Sequence, residues 1–402
     1  MSLPTLHAHS DRIRPAADGP ALRVLVVTES FLPQTNGVTA SVCRVLEHLR
    51  EAGHTAEVIA ASGPDCYAGA RVRTVPAAPL PGYPGFRVGL GSRRRIAAIM
   101  EDFRPDVVHL ASPFMLGAAA ARAARTLGVP TVAVYQTDLI GFARRYGLAA
   151  AVPALERQVQ RIHCSVDRTL APSTASLAQL AELDVPSVHR WGRGIDLERF
   201  SPRLRRPASA WLPASEGALP EEPVVLGYVG RLAKEKNLEH LAAIQDLPGT
   251  RLAIVGDGPL RPRLEQALDR ATFLGERSGQ ELARIMASLD VFVHPGAEET
   301  FCQSAQEALA SGVPVVGPAS GGLLDRVRHG STGLLYAPDD RAGLRGAVTA
   351  LLDPATRRRM AEAARPSVED RSWHVVNAEL IRHYRAVVRE SPLRTLPLCR
   401  AS

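Results

Sequence analysis

The stretch VHPGAEETFCQSAQEALASGVPVVGPASGG, residues 293–322, runs from an apolar strand end through a polar loop and a helix into a second apolar strand. Strand, loop, helix and strand in so short a span make one winding of a parallel α/β sheet. Two carboxylates lie inside it, Glu299 in the loop before the helix and Glu307 eight residues later, expected about two turns in. A lone pair of glutamates is ordinarily surface charge. Held between an apolar strand and the apolar turn SGVPVVGP, these two read as ligand groups: Glu299 can accept hydroxyls, the helix start offers amides to a phosphate, and Glu307 can reach a ribose.

The same winding extends to both sides. VVLGYVG (224–230), LAIVG (252–256), ATFLG (271–275) and LDVFVHP (289–295) precede it as short apolar runs with helical patterns between. The first half repeats the scheme in LRVLVVT from Leu22, then TAEVIAA, RVRTV, DVVHLA, PTVAVYQ and DRTLAP. Its first helix, from Val38, sets Val42, Val45, Leu46 and Leu49 on one face and ends at Gly53. The pattern predicts a loose leader over residues 1–20, Rossmann-like domains over 21–195 and 223–370, and a Pro- and Ala-rich linker over 196–222. An amphipathic helix, Trp373 to Val388 within the segment 371–390, is expected to pack back on the first domain.

Composition bounds what such a chain does. It has 402 residues, net charge +7, 46% hydrophobic and 22% charged residues, which excludes intrinsic disorder, collagen and coiled coil. No stretch reaches the roughly 18 apolar residues of a membrane helix. The five cysteines are scattered and without a C-x-x-C pair, as expected of a cytoplasmic chain with no structural zinc. Of 48 basic residues only Lys234 and Lys236 are lysines. The excess charge sits in residues 1–195, with 21 arginines against 15 carboxylates, so the first half is expected to face something anionic: nucleic acid, a lipid head group or a phosphorylated substrate.

Three further constellations carry chemistry. In TESFLPQTNGVTASV, Asn36 and Gly37 stand just before the first helix, where a glycine lets amides approach a phosphate, although a plain tight turn accounts for it equally. In YVGRLAKEKNLEHL a strand delivers Gly230 and Arg231 to the sheet's carboxyl edge and Lys236 follows, so two cations converge where open α/β sheets bind ligands. The alternative is a solvated, charged helix start. In IVGDGPLRPRLE the turn Gly256-Asp257-Gly258 is as readily an ordinary loop as a binding element.

Together, Gly230, Arg231, Lys236, Gly256-Asp257-Gly258 and the E-x7-E element of Glu299 and Glu307 resemble the retaining GT-B glycosyltransferases of glycosyltransferase family 4. The segments NGVTASV, VAVYQTDLIGFARRYG, GRGIDLERFSP and HPGAEETFCQSAQEALASGVPVVGP are similar to bacterial GDP-mannose-dependent α-mannosyltransferases, over about residues 22 to 390. The resemblance implies two Rossmann-like domains facing a central cleft and a nucleotide-sugar donor, GDP-mannose or else a UDP-sugar, with no further cofactor. Arg231 and Lys236 correspond to diphosphate-binding cations, Glu299 to the acid that holds the sugar hydroxyls and Glu307 to the ribose ligand. Asn36, Gly37, Gly230, Gly256, Gly258, Leu274, Phe301, Cys302 and Gln303 complete the implied donor site. Gln136, Thr137, Asp138, Arg144 and Arg193 are the implied acceptor contacts, the acceptor being a lipid or small glycan.

This chain departs from the family at Gln136, where many members carry a histidine: glutamine bonds a hydroxyl but shuttles no proton at neutral pH. Cys302, where glycine is common, is expected to act through its backbone. With no D-x-D in the chain, no donor-bound metal is indicated. Retention without a nucleophile implies front-face attack, the leaving phosphate oxygen taking the acceptor's proton.

Weaker signals are Arg93, Arg94 and Arg95 at a helix start, read as a basic turn or a contact with an anionic membrane. Arg145 stands beside Arg144 near the expected acceptor entrance, and the two are expected either to bind an acidic acceptor group or to pair with surface carboxylates. His109 is expected at a strand end facing the cleft, most simply as a structural histidine, and Asp196 as a hinge or cap. Competing functions are a GT-B nucleotide-sugar epimerase, a UDP-sugar transferase acting on a natural product, and a basic nucleic-acid binder. The last lacks aromatic interleaving, and a dehydrogenase would need a G-x-G-x-x-G after the first strand.

Overall fold

The structure, a computed structural model, describes residues 19–34, 36–79, 87–212 and 223–391. The leader expected over residues 1–20 falls almost wholly outside these, as do parts of the loop Pro76 to Gly91 and of segment 196–222.

Two sheets form. The first orders its strands Val188–Arg190, Arg168–Ala171, Thr131–Val134, Val107–Ala111, Arg23–Thr28, Thr55–Ala60, Ala70–Thr74 and Cys66–Tyr67, and only the last pairing is antiparallel. The second is Ala271–Gly275, Thr250–Val255, Val224–Val229, Val291–Val293, Val315–Pro318 and Gly333–Tyr336, all parallel. Strand residues such as Val24, Val26, Leu226 and Phe292 are fully buried because helices cover both faces of each sheet. Strand order reverses between Arg23–Thr28 and Val107–Ala111 in one sheet, and between Val224–Val229 and Val291–Val293 in the other. Ligands of open α/β sheets bind beyond the carboxyl ends of strands at such reversals. The loops leaving them here are those of Glu29 to Gly37, Gly230 to Lys236 and His294 to Glu299.

The helix Trp373–Glu390 is capped by Ser372, whose hydroxyl accepts the Val375 amide. Its buried face of Val376, Leu380, Ile381, Tyr384 and Val387 joins the first domain's core beside Val24, Val26 and Trp191. Each such side chain contributes at most ~1.5–3 kcal/mol on burial. The Trp191 indole donates to the Val376 carbonyl at 2.8 Å and Asn377 to that of Arg44 at 3.0 Å, so the helix that follows the second sheet completes the first domain.

Three details differ from the sequence reading. The chain after Arg231 makes short 3-10 turns, Lys234–Lys236 and Leu238–Ala243, instead of starting an α-helix, because Asn237 between them is left-handed with φ of 50°. The helix after Glu299 begins at Gln303, which puts Glu307 one turn in, not two. Within segment 196–222, Phe200 and Leu212 are buried with Ile195 in the second domain's core, so the chain up to Leu212 is packed and not a free linker.

Candidate active site

The second sheet's carboxyl edge carries a dense charged cluster. Val291–Val293 delivers His294, whose Nε2 lies 2.9 Å from Oε1 of Glu299, and the ammonium of Lys236 bonds the same oxygen. Burial alone would raise the Glu299 carboxyl, but Lys236 and His294 outweigh it and hold it well below the usual carboxylate range. Burial likewise disfavours the His294 imidazolium, yet Cys302 and Glu299 push its pKa up to about 9. Two cations on one carboxylate leave an excess of positive charge, the polarity a diphosphate requires. The donor atoms of His294, Glu299 and Cys302 lie within 4.8 Å of one another, close enough to hold a metal ion. Lys236 and the His294 imidazolium already place two cations on that carboxylate, and a third would be repelled.

Cys302 adopts φ of 63° and begins the helix Gln303–Ala310 without a side-chain cap bond, so the first-turn amides remain available to an anion. Phe301 and Cys302 are buried there, and the Gly322 amide donates to the Glu299 carbonyl at 2.6 Å, fixing the loop from the far side. Half-buried Glu307 has its carboxyl pushed up to about 7 by burial, against the bond from Gln303 and the charges of Arg199 and Arg193. Gly230, Gly256 and Gly258 line the adjoining turns. At Gly256, with φ of 134°, a Cβ would lie 2.0 Å from the Gly230 carbonyl oxygen, so the two turns nest only without a side chain. Arg231 is exposed at this edge, its carbonyl accepting the Tyr228 hydroxyl at 3.0 Å, and Leu274 is half-buried against the second domain's core.

The first sheet's edge faces this cluster. Asn36 caps the helix Gly37–Glu51, accepting the Thr39 amide at 3.0 Å and donating to Ser30 at 2.6 Å. Gly37 is small for a reason the sequence did not show: a Cβ there would lie 2.4 Å from a guanidinium nitrogen of Arg193. That guanidinium donates to Gln136 Oε1 at 2.9 Å, and burial lowers its pKa to about 10. Thr300 donates to the Gln136 carbonyl at 3.1 Å, while Gln303 and Gln306 donate to the carbonyls of Gly194 and Arg193. Gly37, Gln136 and Arg193 thus meet the Glu299 loop across the cleft.

The remaining expected acceptor contacts are engaged elsewhere. Asp138 caps the helix Leu139–Arg145 through the Gly141 amide at 2.9 Å and also accepts from Gln179 and Tyr135. Thr137 bonds the Ser112 hydroxyl at 2.8 Å, and Arg144 pairs with Glu156 at 3.0 Å. His109 does not face the cleft: it is buried inside its strand, its Nδ1 is 2.7 Å from the Tyr384 hydroxyl, and burial lowers its pKa to about 3. Asp196 accepts from Arg44 and from the Arg199 amide, which suits a hinge or cap. Arg93 bonds Thr126 and Arg95 bonds the Thr74 carbonyl, as in a basic turn.

Sequence reasoning missed three groups, His294, Glu29 and Tyr146, and left the partner of a fourth, Arg145, open. His294 lay inside the decisive motif, and its place at a strand end was the available signal. Glu29, directly after the first strand, is buried and accepts amides of Gly89, Leu116 and Gly117, with burial raising its carboxyl. Arg145 crosses the cleft to Glu298, through Nε at 3.0 Å and a second nitrogen at 2.5 Å, and to Asn237 at 2.6 Å. Tyr146 beside it donates to Glu235 at 2.8 Å with the Lys234 ammonium 5.9 Å from its ring, which gives the second lysine a partner the sequence did not reveal.

Comparison with known proteins agrees with this architecture. Residues 35–199 match Glycosyltransferase Family 4 and residues 214–367 match Glycosyl transferases group 1. A GDP-mannose-dependent alpha-mannosyltransferase of Mycolicibacterium smegmatis is 47% identical over 93% of this chain and 100% of its own length. Its namesake in Corynebacterium glutamicum is 42% identical over 91% and 89%. Among solved structures, a sucrose-phosphate synthase from Thermosynechococcus elongatus superposes with a TM-score of 0.73 at 22% identity, covering 92% of this chain and 99% of that one. Anabaena HepE in complex with UDP and glucose gives 0.69 at 18%, covering 91% and 100%. The chain belongs to glycosyltransferase family 4 and has its two-domain GT-B architecture.

Proposed function

We propose that the protein transfers mannose from GDP-mannose to a hydroxyl of a lipid or small-glycan acceptor with retention of configuration. The observation that carries this is the Lys236–Glu299–His294 cluster, with Glu307 one helical turn beyond the loop, opposite Gln136 and Arg193. Sequence relatives named for GDP-mannose support the choice of donor.

In this reading Lys236 and Arg231 hold the diphosphate and neutralise the charge that develops as the sugar–phosphate bond breaks. Arg193, reaching past Gly37, adds a third cation at the cleft. Amides of Phe301 and Cys302 take the distal phosphate, the free oxygen of Glu299 orders sugar hydroxyls, and Glu307 accepts from the ribose. The acceptor hydroxyl attacks on the face the diphosphate leaves, and the departing phosphate oxygen takes its proton. Gln136, bonded to Arg193, cannot act as a base and is assigned a positioning role toward the sugar. In this reading no metal takes part, the cations of the cleft carrying the charge. Among the described residues no helix is long and apolar enough to cross a membrane; a cytoplasmic enzyme whose basic first domain meets an anionic membrane or acceptor fits the charge distribution.

The test is a donor panel. GDP-mannose at a hundred times its dissociation constant adds ~2.7 kcal/mol of stability and raises the melting temperature, with UDP-glucose and UDP-N-acetylglucosamine giving less. Release of GDP must require an acceptor. Stabilisation by a UDP-sugar alone would reassign the donor, and a free altered sugar nucleotide formed without acceptor would identify an epimerase.

A further inference from the structure

A second charged cavity lies away from the donor cleft. It encloses about 620 Å³ and is lined by six arginines: Arg168, Arg190, Arg326, Arg328, Arg371 and Arg382. They come from three separate parts of the chain. Arg168 and Arg190 lie on the last two strands of the first sheet, Arg326 and Arg328 on the short helix Leu323–Arg326 and the loop after it, and Arg371 and Arg382 at and within the C-terminal helix. The fold therefore brings them together where both domains and that helix meet.

The lining contains three carboxylates, Asp325, Asp370 and Glu379, against these six cations. Asp325 pairs with Arg190 and Glu379 with Arg371, each at 3.1 Å, and Glu390, outside the lining, pairs with Arg168 at 3.1 Å. Arg328 and Arg382 make no ion pair among the described residues and are exposed to the cavity mouth. Arg326 stacks its guanidinium 4.8 Å from the Phe301 ring and donates to Gln306, while its buried Nε has no partner; the Nε of Arg168 is likewise orphaned. Burial and the neighbouring Arg190 lower the Arg326 pKa to about 10, and burial with Arg168 lowers that of His383 to about 4. Like charges held this close in a concave site repel one another until an anion joins them. Guanidinium forks match the paired oxygens of a phosphate, and the volume is that of a small-molecule site.

We propose that this cavity binds a phosphate-class polyanion, supplied as a free phosphorylated molecule or as a lipid head group, and that the ligand bridges the two domains. The site is distinct from the donor cleft but touches it: Arg326 stacks on Phe301, and a Cβ at Gly192 would lie 3.3 Å from both Arg371 and the same ring. The inference stands whichever nucleotide sugar the donor cleft takes.

The probe is inorganic pyrophosphate, titrated calorimetrically into the full chain already saturated with GDP, so that the donor diphosphate site is filled. The expected result is one further binding event that weakens with added salt and weakens at least tenfold in the double variant Arg328→Glu with Arg382→Glu, with GDP affinity unchanged. No binding beyond GDP, or binding indifferent to the double variant, overturns the proposal. Should the double variant fail to bind GDP, Arg382→Gln alone replaces it and must weaken pyrophosphate at least threefold. Sedimentation with phosphatidylglycerol vesicles separates the sources. Retention of the wild type that the variant loses assigns a lipid head group; pyrophosphate binding without retention assigns a free phosphate; vesicle retention with no pyrophosphate binding and no response to the variant overturns the site.

Discussion

The two sheet edges that face each other across the cleft are built from the same winding yet spend their polar groups differently. On the second sheet, Lys236, His294 and Glu299 bond one another within a single knot, and their combined charge points at a ligand. On the first, the polar groups serve the fold: Asp138 caps a helix, Thr137 bonds Ser112, Glu29 collects three amides and His109 meets Tyr384. Gln136 and Arg193, with Gly37 beneath them, reach across, as do Arg145 and Tyr146. On the proposed function the contrast separates labour: one edge would supply the electrostatics of bond breaking, the other a shaped wall for the acceptor. Substitutions on the second edge should strike kcat or donor binding, and those on the first should strike acceptor KM or stability, except where a first-edge residue such as Arg145 bonds the second edge directly.

The largest expected effect is at Glu299. Glu299→Ala strips Lys236 and His294 of their common partner, and turnover should fall by about a hundredfold to a thousandfold. The His294 pKa, followed by NMR titration, should drop from about 9. Near-normal turnover would erase the distinction between the edges. Gly37→Ala comes next, because its new methyl would lie 2.4 Å from the Arg193 guanidinium and displace it. A shift of an ångström at a reacting centre costs up to about a hundredfold, so a loss near tenfold in kcat/KM is expected with the fold intact by circular dichroism.

Much of this division was legible in the sequence, and the limits have physical causes. The strand runs were readable because strands covered on both faces are continuously apolar, and the glutamate pair because carboxylates rarely stand between such strands. Short strands such as Val188–Arg190 and Gly333–Tyr336 carry too few residues for a pattern. The 3-10 turn at Lys234–Lys236 was not legible, and a helix start stood as the alternative there, since nothing local announces that Asn237 is left-handed. His109 was placed at the cleft because the residue covering it, Tyr384, lies far away in sequence. Arg145 was legible as a cation near the acceptor entrance, but its pairing with Glu298 was not, for the same reason: a pair separated by 153 residues leaves no local signature.

That pair offers a sharper probe of the comparison. Arg145→Ala removes a two-point bond from the first edge to the residue next to Glu299. Since Arg145 is 21% and Glu298 34% exposed, solvent screens much of the attraction. A threefold to tenfold rise in donor KM, at the order expected of one such pair, should accompany a small change in melting temperature. A fall in stability with unaltered donor KM would make the contact purely structural.

Smaller still is a pH effect at Glu307. Its carboxyl, pushed up to about 7, is largely protonated below that pH and gains acceptor capacity above it. GDP affinity should therefore rise by about severalfold as pH passes through 7, and Glu307→Gln should flatten the profile. In the ligand-free chain the sign reverses: the raised pKa favours folding fully below the ordinary value of 4.5, and that contribution is lost as pH rises through about 7. The smallest effect on donor chemistry belongs to Asp138→Ala. Loss of the helix cap should cost about 1 kcal/mol in denaturant unfolding while leaving GDP affinity unchanged; a weakened donor site would join the two edges again.

The central claim is tested most directly by NMR of the glycosidic product formed from GDP-mannose and an acceptor extract, with GDP release counted alongside. The account predicts an α-linked mannoside formed in step with GDP, and neither in Glu299→Ala. A β-linked product, or full activity in that variant, would contradict it.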